Sequence, residues 1–283
     1  MTASALNLRP ISGSIGAEIS NVDLSQPLGN AEQDAIHDAL LDKHVLVFRG
    51  QELTPQKQVD IARLFGQPAI YPFLKGLDGT PEVNELLKTE EDEINFGGSW
   101  HSDTAYKARP DMGTLLYALE VPDAGGDTLF ANMQRAYEAL SNGMKEMLDE
   151  LIAVYSSEKG YGGNRAAHMK SLDGLKSAVP TNIESFESEH PVVRTHPSTG
   201  RKSLYVSRSH TLRFKNMTEA ESAPLINYLS DFATRPEFTC RLRWEPKTLA
   251  IWDNRCTNHF AISDYAGKRR QMHRVTIEGD RPI

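Results

Sequence analysis

The stretch GGSWHSDTAY, residues 97–106, carries an imidazole and a carboxylate two positions apart. Alternate side chains of an extended segment share one face, so a strand here would point His101 and Asp103 the same way. Such a pair could be a hydrogen-bonded couple, a base with its orienting acid, or two-thirds of a metal site. One more histidine from a distant strand would complete a two-histidine, one-carboxylate set. That set holds iron(II) on one face and leaves positions open for cosubstrate and oxygen. Zinc accepts the same donors in hydrolytic sites. His-x-Asp alone recurs by chance, so other segments must decide.

A second stretch, WDNRCTNHFAISDYAGKRRQMHR at 252–274, places His259 after a strand end, with Arg270 and Arg274 further on by 11 and 15 residues. An iron(II) oxygenase draws electrons from a cosubstrate, commonly 2-oxoglutarate, whose distal carboxylate needs a cation. The planar guanidinium fork suits it. In a strand over 270–277, Arg270 and Arg274 are an even step apart and face one cavity. Lys268 and Arg269 read as a solvated hairpin tip. His37, His44, His168 and His190 read as structural or solvated.

The elements that must position these groups are mostly strands. Apolar spacing predicts a helix over 30–43 running into a buried strand, 44–50. Thr54-Pro55 supplies an N-cap and first-turn proline for a helix to about Leu64. Strands are then expected at 113–122, 127–133, 201–207, 238–246, 248–254 and 271–280, each rich in β-branched or aromatic residues and bounded by turn formers. Helices are expected at about 134–152 and at 218–233, where Thr218 caps the second. Without a regular βαβ rhythm the fold class is mainly β with flanking α, a sandwich or barrel. The unpatterned 156–190 stretch is expected to be an active-site loop or lid.

At 283 residues, 39% hydrophobic and 24% charged, the chain fits an ordinary globular protein, and 1–283 is expected to be a single domain. The net charge of −7 argues against nucleic acid as a partner. No run of about 18 apolar residues predicts a membrane span. The N-terminal MTASALNLRPISGSIGAEI lacks a basic-then-apolar secretory layout. Two cysteines, Cys240 and Cys256, are too few for a disulfide framework or thiolate zinc site; a cytoplasmic protein with reduced thiols is expected. The residues alone leave open an iron(II) oxygenase, a zinc-dependent hydrolase with the same ligands, and a metal-free binding module.

The chain resembles the taurine dioxygenase family of iron(II)/2-oxoglutarate oxygenases, which includes phenoxyalkanoate dioxygenases. The likeness spans nearly its whole length: IGAEISNVDLSQPL, WHSDTAY, AGGDTLFANM, HPVVRTHPSTGRKSLYV, WDNRCTNH and MHRVTIEGD occur in the expected order. The resemblance implies a double-stranded β-helix (jelly-roll) core and the cofactors Fe(II), 2-oxoglutarate and O2. It implies His101, Asp103 and His259 as iron ligands and catalytic centre. Arg270 would pair with the distal carboxylate of 2-oxoglutarate and Thr128 would hydrogen-bond it, with Arg274 near the chelating carboxylate and the substrate anion. The substrate pocket would include Tyr71, Leu74, Gly97, Trp100, Tyr106 and His210. Tyr71 stands where taurine dioxygenase itself has histidine, Leu74 where it has tyrosine, and Gly97 where it has asparagine. Tyr106 and His210 replace phenylalanines. These departures point away from taurine, toward another small organic anion, a sulfonate or an aryloxy or other carboxylate. Lys75, Lys159, Arg208 and Tyr161 are further candidates for that pocket. The family also implies a homodimer or homotetramer, with helices 31–43 and 218–233 as candidate interfaces; a metal-free jelly-roll binding protein would instead show a missing ligand.

Overall fold

The structure, a computed structural model, describes residues 6–161 and 163–283; the first five residues of the segment read for a leader, and Gly162 of the expected lid, lie outside them. Strand Val45–Phe48 shows how the layers arise. Successive side chains of a strand point to opposite faces. Val45 and Val47 therefore enter one core while Leu46 and Phe48 enter another. Strands Leu249–Asp253 and Gly113–Glu120 divide in the same way: Ala250, Trp252 and Leu116 on one face, Leu249, Ile251 and Leu115 on the other. Both faces are covered, which is why these strands read as near-continuous apolar runs.

These strands lie in an eight-stranded sheet that also holds Leu8–Pro10, Ala17–Ile19, Pro68–Ala69, Asn84–Lys88 and Arg270–Ile277. All pairings in it are antiparallel except Ala17–Ile19 beside Val45–Phe48, which is parallel and joined through helix Asn30–Lys43. That helix and Pro55–Arg63 cover one face with Ile36, Leu40, Val59 and Ile61. Thr54 caps the second helix by accepting from the Lys57 amide at 3.2 Å, with Pro55 in its first turn, as the sequence predicts. On the other face, Phe130 and Leu242 come from a three-stranded sheet of Thr239–Leu242, Thr128–Asn132 and Thr257–Ala261, and Trp244 follows just after the first of these strands. The two sheets form the jelly-roll core. Full burial of each large apolar side chain between them contributes about 1.5–3 kcal/mol.

Several expected bounds change. Helix 134–152 is two helices, Met133–Glu138 and Asn142–Asp149, because Ser141 accepts from the Met144 amide and starts a new N-terminus. The 156–190 stretch is not a bare loop. It holds helix Arg165–Lys170, and its end, Glu187–Pro191, pairs with a strand at Ile152–Ser156, which starts where the expected helix ends and is not itself expected. The helix at Glu219–Ala233 begins at the Thr218–Glu221 capping box, as expected. No helix among the described residues is long and apolar enough to cross a membrane.

Candidate active site

His101 and His259 meet through the backbone. Each amide donates to the other's carbonyl, at 3.0 and 2.7 Å, which ties the WHSD segment to strand Thr257–Ala261. The ring centroids lie 4.2 Å apart. Asp103 joins them, but not by the pleat of a strand. After His101 the chain turns; Thr104 takes a left-handed φ of 51° and its hydroxyl accepts from the Asp111 amide. The turn carries the Asp103 carboxylate back to 3.8 Å from His101 Nε2 and 4.0 Å from His259 Nε2. The donor atoms of all three lie within 4.8 Å of one another, close enough to share one ion.

Their chemistry fits a divalent metal. His101 Nδ1 lies 2.6 Å from the Ser99 carbonyl and donates to it, which leaves Nε2 with a lone pair facing inward. Burial, then the neighbouring His101, pushes His259 down to about 3; burial likewise lowers His101, so both imidazoles are neutral donors at neutral pH. Burial works against the Asp103 carboxylate, yet His259, Arg274 and His101, with a hydrogen bond from Thr114, hold its pKa below the usual range.

A relay orients that carboxylate. Thr114 Oγ1 donates to Asp103 Oδ2 at 2.7 Å and accepts from Asn254 Nδ2 at 2.9 Å. Trp252 Nε1 in turn donates to Asn254 Oδ1 at 2.8 Å. One carboxylate oxygen is thereby committed, leaving Oδ1 free. Supporting hydrogen bonds of this kind are typically worth about 10–100-fold in metal affinity. Thr114→Val, nearly isosteric, is expected to weaken metal binding by about tenfold without loss of fold, read by competition with a chelator. Unchanged affinity would refute the relay.

Beside the cluster lies a cavity lined by its three residues and by Gly97, Thr128, Arg270 and Arg274. Arg270 and Arg274 stand on one face of strand Arg270–Ile277, as their spacing predicts. Both are buried, and Nε and Nη2 of each have no hydrogen-bond partner. Burial lowers the Arg270 pKa, with Tyr265 and Asp127 opposing. An unpaired buried guanidinium is costly unless an anion completes it. Gly126, at a φ of 71°, gives Arg270 room: a Cβ there would sit 3.3 Å from Arg270 Cδ. Thr128 Oγ1 accepts from Trp244 Nε1 at 3.0 Å.

The other expected pocket residues divide. Tyr71 lies under Arg274, whose guanidinium carbon is 4.0 Å from the ring centroid. His210 packs edge-on against His101 and Tyr106. Trp100 instead packs on Phe260, and Leu74 sits in the core with its carbonyl bonded to Asn84 Nδ2. Of the expected substrate residues Gly97 and Arg274 line the cavity; Tyr71, Leu74, Trp100, Tyr106 and His210 stand behind its wall. Lys75 pairs with Asp78 on the surface and Arg208 with Asp231, while Lys159 donates to the Thr211 carbonyl. Leu86, Phe96, Leu116, Trp252 and Ala261 complete the lining and were not foreseen; an apolar residue in a strand or turn carries no signal that marks a cavity wall.

A second group, His196, Asp253 and Cys256, is also close enough to share an ion. Its lone pairs are already used. Asp253 is held by both Arg255 Nε and Nη2, at 2.8 and 2.6 Å, and faces His196 Nε2 at 3.0 Å. His196 Nδ1 accepts from the Ser198 and Thr199 amides. This group clasps the turn that delivers His259.

A jelly roll that holds neutral imidazoles and a carboxylate around one point, with stranded guanidiniums alongside, has the make-up of a non-haem iron(II) oxygenase. Comparison with known proteins gives the same answer. The model of the family described as "Taurine catabolism dioxygenase TauD, TfdA family" matches residues 7–276. An alkylsulfatase of Acinetobacter baylyi is 39% identical, covering 97% of this chain and 86% of its own. An alpha-ketoglutarate-dependent sulfate ester dioxygenase of Pseudomonas putida is 36% identical, covering 99% and 92%. A solved taurine dioxygenase from Burkholderia xenovorans superposes with a TM-score of 0.82 at 33% identity, covering 99% and 91%. The chain belongs to the TauD, TfdA family of dioxygenases. It is a 2-oxoglutarate-dependent oxygenase, and Fe(II), 2-oxoglutarate and O2 are its cofactors.

Proposed function

We propose that this protein hydroxylates an organic sulfate ester or sulfonate at the carbon bearing the sulfo group, with His101, Asp103 and His259 as the iron ligands. The observation that carries the ligand assignment is the convergence of three metal-competent donors on a cavity with two guanidiniums whose Nε and Nη2 have no hydrogen-bond partner. The similarity to an alkylsulfatase and a sulfate ester dioxygenase supports the substrate class. Iron(II) with 2-oxoglutarate and dioxygen supplies the oxidising power and leaves succinate and carbon dioxide. Arg270 and Thr128 fix the distal carboxylate of 2-oxoglutarate; Arg274 takes the anionic head of the substrate. With a sulfate ester, hydroxylation of the carbon next to the ester oxygen gives a product that breaks its C–O bond to an aldehyde and hydrogen sulfate. The apolar lining, Leu86, Phe96 and Leu116, keeps water from the reacting carbon.

The experiment is a panel of hexyl sulfate, hexanesulfonate, taurine and phenoxyacetate given to iron-loaded protein with 2-oxoglutarate and oxygen. Hexyl sulfate or hexanesulfonate is expected to accelerate succinate release by about tenfold or more over the uncoupled rate. Taurine is expected to give little. Acceleration by phenoxyacetate alone would replace the sulfo group with a carboxylate in this account.

We also place the protein in the cytoplasm as a homodimer or homotetramer and read it as one domain. Two free, buried cysteines support the first, and Tyr228, half exposed on helix Glu219–Ala233, supports an interface there. Light scattering tests the oligomeric state.

A further inference from the structure

Arg165 came to no notice in the sequence. It lies on the short helix Arg165–Lys170 inside the segment expected to be a lid, yet its side chain is 2% exposed. Its guanidinium carbon stands 4.0 Å from the ring centroid of Phe73, 4.5 Å from Tyr161 and 5.3 Å from Tyr106. Nη2 donates to the Tyr71 hydroxyl at 2.5 Å, and Nη1 reaches the Ser157 carbonyl at 3.4 Å. Nε has no partner. No carboxylate among the described residues forms an ion pair with it. The adjacent Glu158 is spent on the Arg165 backbone amide and the Ser157 hydroxyl.

Tyr71 and Phe96 are shared with Arg274. That guanidinium lies over the other side of the same group, 4.0 Å from the Tyr71 centroid and, like Arg165, 5.9 Å from Phe96. Arg274 has only a distant carboxylate, Asp103 at 3.8 Å. Two buried like charges around one tyrosine repel each other unless an anion joins them. Rings alone would accommodate a neutral methionine at Arg165 equally well, so stacking does not account for the charge.

We propose that Arg165 is a specificity-determining residue that grips the anionic head of the substrate together with Arg274. This rests on the proposed function, and it adds that the segment covering the site supplies recognition as well as shelter. A sulfo group suits the pair, since its three terminal oxygens allow two guanidiniums to hold it from different sides while Tyr71 orients them.

The test measures hexyl sulfate binding by calorimetry to anaerobic Fe(II)/2-oxoglutarate-loaded protein, and then KM and kcat in air. In Arg165→Gln, Kd and KM for hexyl sulfate are expected to rise about tenfold or more, with kcat at saturation, the Kd for 2-oxoglutarate and the uncoupled succinate rate all within about twofold of wild type. Arg165→Lys keeps the charge but loses the fork, so a rise of roughly threefold is expected. If the glutamine variant does not fold, the lysine variant decides. Unchanged hexyl sulfate affinity in a folded variant overturns the inference and leaves the proposed function standing. Equal losses of hexyl sulfate and 2-oxoglutarate affinity make Arg165 a packing residue and overturn it as well. No binding of hexyl sulfate to the wild type overturns both the substrate assignment and this inference.

Discussion

Replacing Asp103 with alanine is expected to abolish iron binding and turnover together while the protein stays folded. The carboxylate is the only anion in the cluster, and it faces both imidazoles and Arg274 within 4.0 Å. Without it, two neutral histidines remain beside a guanidinium, and a divalent cation meets net repulsion. The loss should exceed the roughly 10–100-fold typical of removing a supporting hydrogen bond. The fold should survive because Asp103 lies in a turn that its neighbour Thr104 fixes independently through Asp111. Metal content after dialysis, with circular dichroism as the control for folding, checks this. A variant that retains iron and activity would remove Asp103 from the ligand set.

Replacing Arg270 with leucine should have two effects of opposite sign. Truncating one member of a buried charge pair costs about 2–5 kcal/mol. The Kd for 2-oxoglutarate should therefore rise roughly 30-fold to several thousandfold. In the absence of cosubstrate the same change removes a buried cation with Nε and Nη2 unpartnered, so thermal stability should hold or increase. Calorimetric titration of 2-oxoglutarate and a melting curve of the free protein check the two halves. A drop in Tm with unchanged 2-oxoglutarate affinity would make Arg270 a structural residue and move the cosubstrate elsewhere.

Much of this site was legible because its chemistry is tied to strand arithmetic. Arg270 and Arg274 share a face since four is an even number, and the strand spans Arg270–Ile277 as its pattern predicts. His101 and Asp103 also converge, but by a different cause. A strand was the expected vehicle; the structure uses a turn with Thr104 in the left-handed region, a conformation that a threonine does not announce. Helix 134–152 was misjudged because apolar spacing continues across Leu140–Ser141, while the serine side chain starts a second helix.

Arg165 shows the limit most plainly. A lone arginine in an unpatterned segment reads as a solvated charge. Only tertiary structure reveals that Phe73, Tyr106 and Tyr161, from distant parts of the chain, enclose it. Long-range contacts of this kind leave no local spacing to read. A mainly β sandwich or barrel was legible in outline because buried strands repeat, and the family resemblance implied the jelly roll; the short strands Asn84–Lys88 and Thr211–Phe214 were not legible, since each is too brief and too polar to stand out from the loops beside it.

The most direct measurement of the central claim is isotopic. Iron-loaded protein is given 2-oxoglutarate, hexyl sulfate and oxygen-18 gas, and the succinate is analysed by mass spectrometry. Oxidative decarboxylation places one atom of dioxygen in the new carboxylate, so the account predicts succinate carrying one heavy oxygen, formed in step with released sulfate. Sulfate released without labelled succinate would mean hydrolysis at these ligands and would contradict it.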